Sequence, residues 1–209
     1  MGALQRTEGV VTRPAFRTRF WCALAITLFA AVSYGATNEW SHARGVTRCL
    51  ALPGELHLPL VSWLVVPYML IDGLLALAPL FTASRQELRT LMLRLFAAFS
   101  MGNIIFLLWP CRCGYPRVIP DDWTAPIFQF LHFTDLPYNQ APSLHIVEAL
   151  LVAPVYLARL PRPALRAAFL LLLVLGSAGT VLTWQHHLVD VFTGAALGLA
   201  TMGLIRQRH

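Results

Sequence analysis

Residues 183–198 read TWQHHLVDVFTGAALG, and residues 142–151 read PSLHIVEALL. In both stretches a short polar group stands at the start of an apolar run. A polar side chain inside a bilayer costs free energy, so a chain that keeps such groups at two matched places is expected to use them. The two stretches therefore predict two membrane helices that each open with a functional group.

The composition is that of an integral membrane protein. Hydrophobic residues make up 57% of the 209 residues and charged residues only 12%, whereas a soluble domain carries roughly 25% charged residues. The apolar residues fall into six runs, each near the roughly 20 residues that a membrane-crossing helix needs. We therefore predict one all-α domain, an integral membrane six-helix bundle, over residues 20–205, with tails at 1–19 and 206–209. The predicted spans are 20–37, 58–81, 91–109, 143–160, 167–184 and 188–205.

All sixteen basic residues are arginine, and the net charge is +6. Most arginines flank the apolar runs on alternate connections: the two tails, residues 82–89 and residues 159–166. By the positive-inside rule this side of the bundle is cytoplasmic, and both termini lie there. The arginines form no stripe with interleaved aromatic residues, so no nucleic-acid partner is expected. They indicate contact with anionic membrane lipids instead.

The opposite face receives polar groups from three separate parts of the chain. His145 opens the fourth span, His186 and Asp190 open the sixth, and PCRCGYPR begins the long loop 110–142 after the third. Residues four apart share a helix face, so Asp190 can fix the tautomer of His186 and stabilise positive charge as the other ring nitrogen attacks. His187, three residues before Asp190, is an alternative partner and an accessory candidate.

This set of residues suits phosphoryl transfer without a metal. His145 fits the protonation of a leaving alkoxide, because the unperturbed pKa of a histidine is near about 6.5. Arg112 and Arg117 carry planar forks of N–H donors that match phosphate oxygens. Ser143 and the first backbone N–H groups of its helix add further donors. We therefore expect neither a metal nor a cofactor.

Two acidic residues lie within the predicted spans. Glu148, three residues after His145, shares its helix face. It is either an accessory residue that tunes His145 or binds a polar head group, or a partner for a neighbouring helix. Asp72 lies in the middle of the second span and should face the bundle interior. We interpret Asp72 as a packing residue.

The four cysteines do not have the spacing of a metal site. Cys22 lies in an apolar run and is interpreted as a small core residue. Cys111 and Cys113 flank one arginine in the long loop. If that loop lies in an oxidising compartment, Cys49 is a candidate disulfide partner for either of them.

The stretches YNQAPSLH at 138–145 and LTWQHHLVDVFTGAALG at 182–198 resemble the second and third sequence motifs of the type 2 phosphatidic acid phosphatase superfamily. Within it they are most similar to the inositolphosphotransferase and sphingolipid-synthase-like branch. The resemblance runs from about residue 59 to the end of the sequence. It implies six membrane helices, a metal-independent site at one membrane face, and cleavage or transfer of phosphate esters, often on lipids, through a phosphohistidine.

Residue by residue, the resemblance implies that His186 is the nucleophile and His145 the general acid. Asp190 matches the aspartate that follows the nucleophile by four positions. Ser143 matches the serine of the phosphate pocket.

The chain also departs from the superfamily's motifs. The first motif usually has a lysine before an Arg-Pro pair, so Arg112 and Arg117 match it only approximately. The usual Ser-Arg of the third motif reads Gly179-Thr180, and Leu144 replaces the glycine of the second motif. The missing arginine disfavours simple phosphatase activity and leaves transfer of a head group open.

The sequence therefore predicts a lipid phosphate phosphatase or phosphotransferase in a bacterial inner membrane, with its active site facing the periplasm. Its partners are a lipid phosphate substrate and membrane lipids, and neither the lipid nor the oligomeric state is specified. The alternative is a non-catalytic lipid-binding membrane protein with a degenerate site, which the motif departures favour. A transporter or channel would spread polar residues through the membrane depth, whereas here they gather at one face.

Overall fold

The fold is entirely helical over residues 13–207, the part of the chain that the computed structural model describes. Seven α-helices and no strand occur in this range. Short 3₁₀ turns at Ser62–Leu64 and Ala78–Phe81 flank the second helix, and a third turn covers Glu55–His57. The prediction of an all-α protein is confirmed. The helices are α1 (Phe16–Ala43), α2 (Val65–Leu77), α3 (Arg85–Leu108), α4 (Ala125–Thr134), α5 (Leu144–Leu157), α6 (Pro163–Leu182) and α7 (Leu188–Leu204).

Within residues 13–207, four helical segments are long and apolar enough to cross a membrane: α1, α2 with its two flanking turns, α3 and α6. The helices α5 and α7 are also apolar but have only 14 and 17 residues. At 1.5 Å per residue α5 rises about 21 Å, against roughly 30 Å of hydrocarbon. Six spans were predicted, and by length and composition four of them meet the requirement.

The helix α4 corrects the prediction that residues 110–142 form a loop. Its ten residues are too few to cross a membrane, so hydropathy alone gave no reason to separate it from the loop. Phe128 and Leu131 on one face of α4 pack against Val65 and Tyr68 at the start of α2. Short helices gain most of their stability from such packing. The helix α4 therefore packs over the start of α2.

Several helices extend beyond the predicted spans, because hydropathy marks only the apolar centre of a helix. The first span was predicted at 20–37, whereas α1 covers Phe16–Ala43. The third span was predicted to start at residue 91, whereas α3 begins directly after Ser84. The Ser84 hydroxyl accepts a hydrogen bond from the Glu87 backbone N–H at 3.0 Å, which is the usual cap of a helix start.

The helix α5 lies at the centre of the bundle and packs against α2, α3, α6 and α7. Its Val147 and Leu151 join Leu95 and Phe99 of α3 in the largest apolar cluster. The remaining major pairs are α2 with α6 and α1 with α3. Because α5 touches most other helices, the position of His145 near its first turn is set by the whole bundle.

Arginines hold one end of the bundle together through carbonyl groups at helix ends. Arg19 of α1 donates to the Leu80 carbonyl, and Arg159 after α5 donates to the Phe81 carbonyl and pairs with Glu87. Arg94 of α3 donates to the Ile205 carbonyl after α7 at 2.9 Å. The segments grouped by their arginines in the sequence therefore meet in space. Arg6 and Arg208 of the predicted tails lie outside the described residues.

At the opposite end α5 and α7 approach each other closely, because α7 carries glycine at the contact. A Cβ atom on Gly194 would collide with the Ser143 carbonyl oxygen, and one on Gly198 would touch the Leu150 side chain at 3.0 Å. Small residues allow such close helix contacts in membrane proteins. This contact sets the first turn of α5 beside the first turn of α7.

Candidate active site

Two histidines from different parts of the chain meet at the end of the bundle where α5 and α7 begin. His145 is the second residue of α5, and His186 lies two residues before α7. Their ring centroids are 5.8 Å apart, and the ring planes are inclined at 66°. The structure thus brings together the two imidazoles that the sequence singled out.

Asp190 lies against His186. Its Oδ2 atom is 3.4 Å from the His186 Nδ1 atom, although the two are not aligned as a hydrogen bond. The same Oδ2 accepts a hydrogen bond from the His187 backbone N–H at 2.7 Å. Asp190 is 0% exposed and His186 3%. Because Nδ1 of His186 faces the Asp190 carboxylate, Nε2 is the ring nitrogen that could react with a substrate.

Ser143 stands directly before α5 and is fully buried. Its backbone N–H donates to the Asp190 carbonyl oxygen at 2.9 Å, which ties the start of α5 to the first turn of α7. Its Oγ atom has no hydrogen-bond partner among residues 13–207. The role of this hydroxyl as a phosphate donor stays a prediction.

His187 faces a second buried cluster. Its Nε2 accepts a hydrogen bond from the Gly114 backbone N–H at 2.9 Å, and its ring stacks on Tyr115 with centroids 5.2 Å apart. Its Nδ1 lies 3.5 Å from Glu55 Oε1, an oxygen that also accepts the Leu188 backbone N–H at 2.6 Å. The ring of His187 thus connects two loops to the start of α7, and the Asp190 carboxylate accepts the His187 backbone N–H.

A cavity of about 340 Å³ adjoins His145, with walls from α1, α2, α3, α4 and α5. Asp72 of α2 lines it, and its Oδ1 lies 3.3 Å from His145 Nε2. Tyr68, one turn earlier in α2, stacks on the His145 ring with centroids 4.2 Å apart. The interpretation of Asp72 as a packing residue is therefore corrected: it pairs with His145 across the cavity.

Glu148 lines the same cavity as His145, in line with their three-residue spacing on one helix face. It is 4% exposed, and its Oε2 has no hydrogen-bond partner within the described range. Its carboxyl group lies beside that of Asp72. Glu148 therefore faces the cavity and also contacts Asp72 of the neighbouring helix α2, so both alternatives stay open.

The two arginines that were expected to hold phosphate lie elsewhere. Arg117 donates from Nη2 to the carbonyl oxygens of His132 and Asp135, both at 2.7 Å. These carbonyls end α4, and arginine commonly binds the last carbonyls of a helix. The Arg112 side chain is exposed. Of the described residues that line the cavity beside His145, none is an arginine.

Asp135 is a cavity residue that the sequence analysis missed. It follows α4, and its carboxylate accepts hydrogen bonds from Asn38 Nδ2 at 2.6 Å and from the Tyr34 hydroxyl at 3.3 Å, both on α1. Burial raises the pKa of the Asp135 carboxyl above its ordinary value. No spacing rule could have found it, since it enters the site through the packing of α4 and the loop against α1.

The cysteines are all free thiols, so neither disulfide considered from the sequence is present. Cys49 is exposed, and its Sγ lies 3.5 Å from His187 Nε2. Cys113 is buried, and burial raises the pKa of its thiol to about 12. Over residues 13–207, no three metal-ligating side chains converge on one point.

Comparisons of the chain with protein-family models, curated proteins and solved structures find no match. The resemblance to the type 2 phosphatidic acid phosphatase superfamily is therefore carried by the two motifs alone. The geometry around His145, His186 and Asp190 can be judged on its own chemistry.

Proposed function

We propose that the protein is a membrane-embedded enzyme that transfers or hydrolyses a lipid phosphate through a phosphohistidine, without a metal. The observation that carries this proposal is the pair of imidazoles 5.8 Å apart, one of them backed by a buried carboxylate. Two histidines at this separation can both reach a single phosphoryl group. One then acts as nucleophile and the other as general acid.

In the first half of the reaction, His186 Nε2 attacks phosphorus and the bond from phosphorus to the leaving oxygen breaks. His145 gives its proton to that oxygen, so an alcohol departs. Asp190 stabilises the positive charge on the His186 ring through its contact with Nδ1. In the second half, water or a lipid alcohol attacks phosphorus, the bond from phosphorus to His186 Nε2 breaks, and the attacking oxygen loses its proton to His145, which restores both histidines.

The phosphate oxygens need donors during this exchange. The Ser143 hydroxyl and the first free N–H groups of α5 lie at the N-terminal end of the helix. Helix N-termini bind phosphate groups through such donors. Arg117 is held by backbone carbonyls at the edge of a neighbouring cleft, which also contains Asp135 and Gln185. In this proposal the guanidinium group of Arg117 provides positive charge at a distance from the phosphate. Arg112 lies outside the site.

The site would lie at one face of a six-span bundle formed by α1, α2, α3, α5, α6 and α7. The four long apolar helices support a membrane location, and the arginine contacts at the other end of the bundle support a cytoplasmic position for that end. We propose that the site lies on the periplasmic side of a bacterial inner membrane, an orientation that the arginine distribution supports. A reporter fused after Arg162 should then read cytoplasmic and one inserted at Asp122 periplasmic.

A second candidate is a non-catalytic lipid-binding protein. It is favoured by one observation: the cavity beside His145 is lined by three carboxyl groups and by no arginine among the described residues. A phosphate group would be repelled from such a cavity unless its charge were offset nearby. In this candidate the fold and the cavity are the same, but no phosphohistidine forms.

The two candidates differ in whether a phosphoenzyme forms. The full-length protein, purified in a non-ionic detergent with EDTA, would be incubated with phosphatidic acid radiolabelled in its phosphate and quenched in base. We expect a base-stable, acid-labile label on the protein, absent from His186→Ala and kept by the matched variant His57→Ala, whose ring is exposed. A label that persists in His186→Ala would reject His186 as the nucleophile, and its absence from the wild type would favour the non-catalytic candidate.

A further inference from the structure

A groove separates the starts of α1 and α3 at the arginine-rich end of the bundle, opposite the histidine pair. It has a volume of about 620 Å³, and its walls include Thr18 and Cys22 of α1 and Met92 and Phe96 of α3. Phe96 is the last lining residue along α3, and its ring packs on Phe29 of α1 with ring centroids 4.9 Å apart. The two helices therefore meet at this depth and diverge towards their N-termini.

The groove is cationic at its mouth and apolar further in. Arg85 and Arg89 lie one turn apart at the start of α3 and line the mouth, and the lining of α3 beyond them is apolar as far as Phe96. From Arg85 to Phe96 the helix rises about 16 Å. None of the described residues that line the groove is acidic. Glu87, which lies between the two arginines in sequence, is paired with Arg159 instead.

Arg85 and Arg89 differ from the other arginines at this end of the bundle. Arg19, Arg94 and Arg159 donate to carbonyl groups at helix ends. Arg85 and Arg89 are exposed, and neither guanidinium group has a hydrogen bond or an ion pair with a described residue. Their positive charge is therefore not offset within residues 13–207 and is available to a ligand in the groove.

We propose that this groove binds one anionic phospholipid that is not a substrate, with its phosphate at Arg85 and Arg89 and one acyl chain along Cys22, Met92 and Phe96. Guanidinium forks match phosphate oxygens, and arginines at a membrane surface attract anionic lipids. The lipid fills the space where α1 and α3 diverge and links the two helices. The inference goes beyond the proposed function and does not depend on it, because the groove and the histidine pair lie at opposite ends of the bundle.

Charge distinguishes this occupant from the alternatives. Residues 1–12, which precede the groove in the sequence and lie outside the described part of the chain, contain Arg6 and Glu8 beside the terminal amine, so they bring no net negative charge. A second copy of the chain would present the same two arginines and be repelled. A zwitterionic lipid carries a cation next to its phosphate. An anionic phospholipid alone offsets the arginines and also fills the apolar part.

The test is native mass spectrometry of the full-length protein in a non-ionic detergent with equimolar dioleoylphosphatidylglycerol and dioleoylphosphatidylcholine. We expect the protein to retain one phosphatidylglycerol, with a preference of roughly tenfold or more, because two arginines attract its net charge. Equal retention of the two lipids, or retention of neither, would overturn the inference. Glycerophosphoglycerol, which is the same head group without acyl chains, should not displace the lipid. Displacement by it at equal concentration would show an anion site that does not use the groove, and would also overturn the inference.

Variants assign the two arginines. Arg85→Gln combined with Arg89→Gln should abolish the preference for phosphatidylglycerol. The matched control combines Arg162→Gln with Arg166→Gln, because these two arginines are also exposed, four residues apart at the start of a helix, and absent from the groove. This control should keep the preference. Equal losses in the two double variants would show a general effect of surface charge and contradict the assigned site.

Cys22 gives a second measurement that needs no arginine variant and so decides the matter if the glutamine variant does not fold. Its thiol lines the groove, so phosphatidylglycerol should slow the labelling of Cys22 by N-ethylmaleimide severalfold, whereas phosphatidylcholine should not. The adduct is mapped by mass spectrometry of the wild-type protein. An unchanged rate would overturn the inference. A thiol that is unreactive before lipid is added would overturn it as well, since another part of the chain would then fill the groove.

His186→Ala separates this inference from the proposed function. That variant should form no phosphoenzyme and should retain phosphatidylglycerol as the wild type does. A wild-type protein that retains this lipid but forms no phosphoenzyme would reject the proposed reaction and keep the groove site. A protein that forms the phosphoenzyme but does not discriminate between the two lipids would do the reverse.

Discussion

Asp190 and His186 are buried together at the start of α7, with Asp190 Oδ2 lying 3.4 Å from His186 Nδ1. The same oxygen accepts the His187 backbone N–H, so one carboxylate both caps a helix and lies against a ring. This double use means that a substitution at position 190 can change the chemistry of His186 without disturbing the helix start only if it keeps an acceptor oxygen there.

Asp190→Asn tests the orientation of His186. An asparagine oxygen can still accept the His187 N–H, so the helix start should survive. The neutral amide no longer stabilises positive charge on the His186 ring, and turnover of a lipid phosphate should fall by about a hundredfold or more. Phosphate release by the purified variant measures this, and Asp121→Asn, at an exposed position, is the control that should retain full turnover.

His145→Gln tests the general acid through the leaving group. Alkyl phosphates leave as poor alkoxides and need the proton, whereas a nitrophenolate leaves without help. Turnover of the alkyl ester should therefore fall about a hundredfold or more, while turnover of the nitrophenyl ester falls much less. Equal losses on the two substrates would show that His145 does something other than protonate the leaving oxygen.

Gly194→Ala tests the close contact between α5 and α7. The added Cβ would collide with the Ser143 carbonyl oxygen, so the variant should lose about 1–3 kcal/mol of unfolding free energy. It should also lose activity, since the contact sets His145 beside His186. Gly203→Ala on the same helix meets nothing within 4 Å and should be close to neutral. Unfolding in mild detergent, followed by tryptophan fluorescence, compares the two variants.

Glu55→Gln tests the cluster around His187. Both Glu55 carboxylate oxygens accept backbone N–H groups, from Leu52 at 2.8 Å and from Leu188 at 2.6 Å. The amide can replace one acceptor but turns a donor towards the other N–H, which should cost about 1–3 kcal/mol. The unfolding midpoint of the variant should fall relative to Glu39→Gln, and an unchanged midpoint would mean that this cluster does not hold the loop to α7.

Thiol reactivity tests the burial of Cys113. A pKa of about 12 leaves on the order of one thiolate in ten thousand at about pH 8. Maleimide should therefore label Cys49, which is exposed, and label Cys113 only after unfolding. Mass spectrometry of the native and unfolded protein, with Cys49→Ser and Cys113→Ser to assign the adducts, reports the outcome. Fast formation of an adduct that maps to Cys113 in native Cys49→Ser would contradict the buried environment.

The sequence by itself determined the helical class and the polar groups that open α5 and α7, because hydropathy and helical spacing act over a few residues. It also linked His186 to Asp190 by their four-residue spacing, although His186 precedes α7 and meets Asp190 from the turn before the helix and not along one helix face. It did not predict α4, whose stability depends on packing against Val65 and Tyr68.

The tertiary structure alone decided which groups share the site. Asp72 and Asp135 reach the cavity from α2 and from the end of α4, and Arg117 turns away because the carbonyls that end α4 bind its guanidinium. Such placements depend on how whole helices pack, and a local pattern holds no information about distant partners. Glycine at position 194 shows the same dependence: only the packed bundle reveals that its missing side chain brings His145 and His186 together.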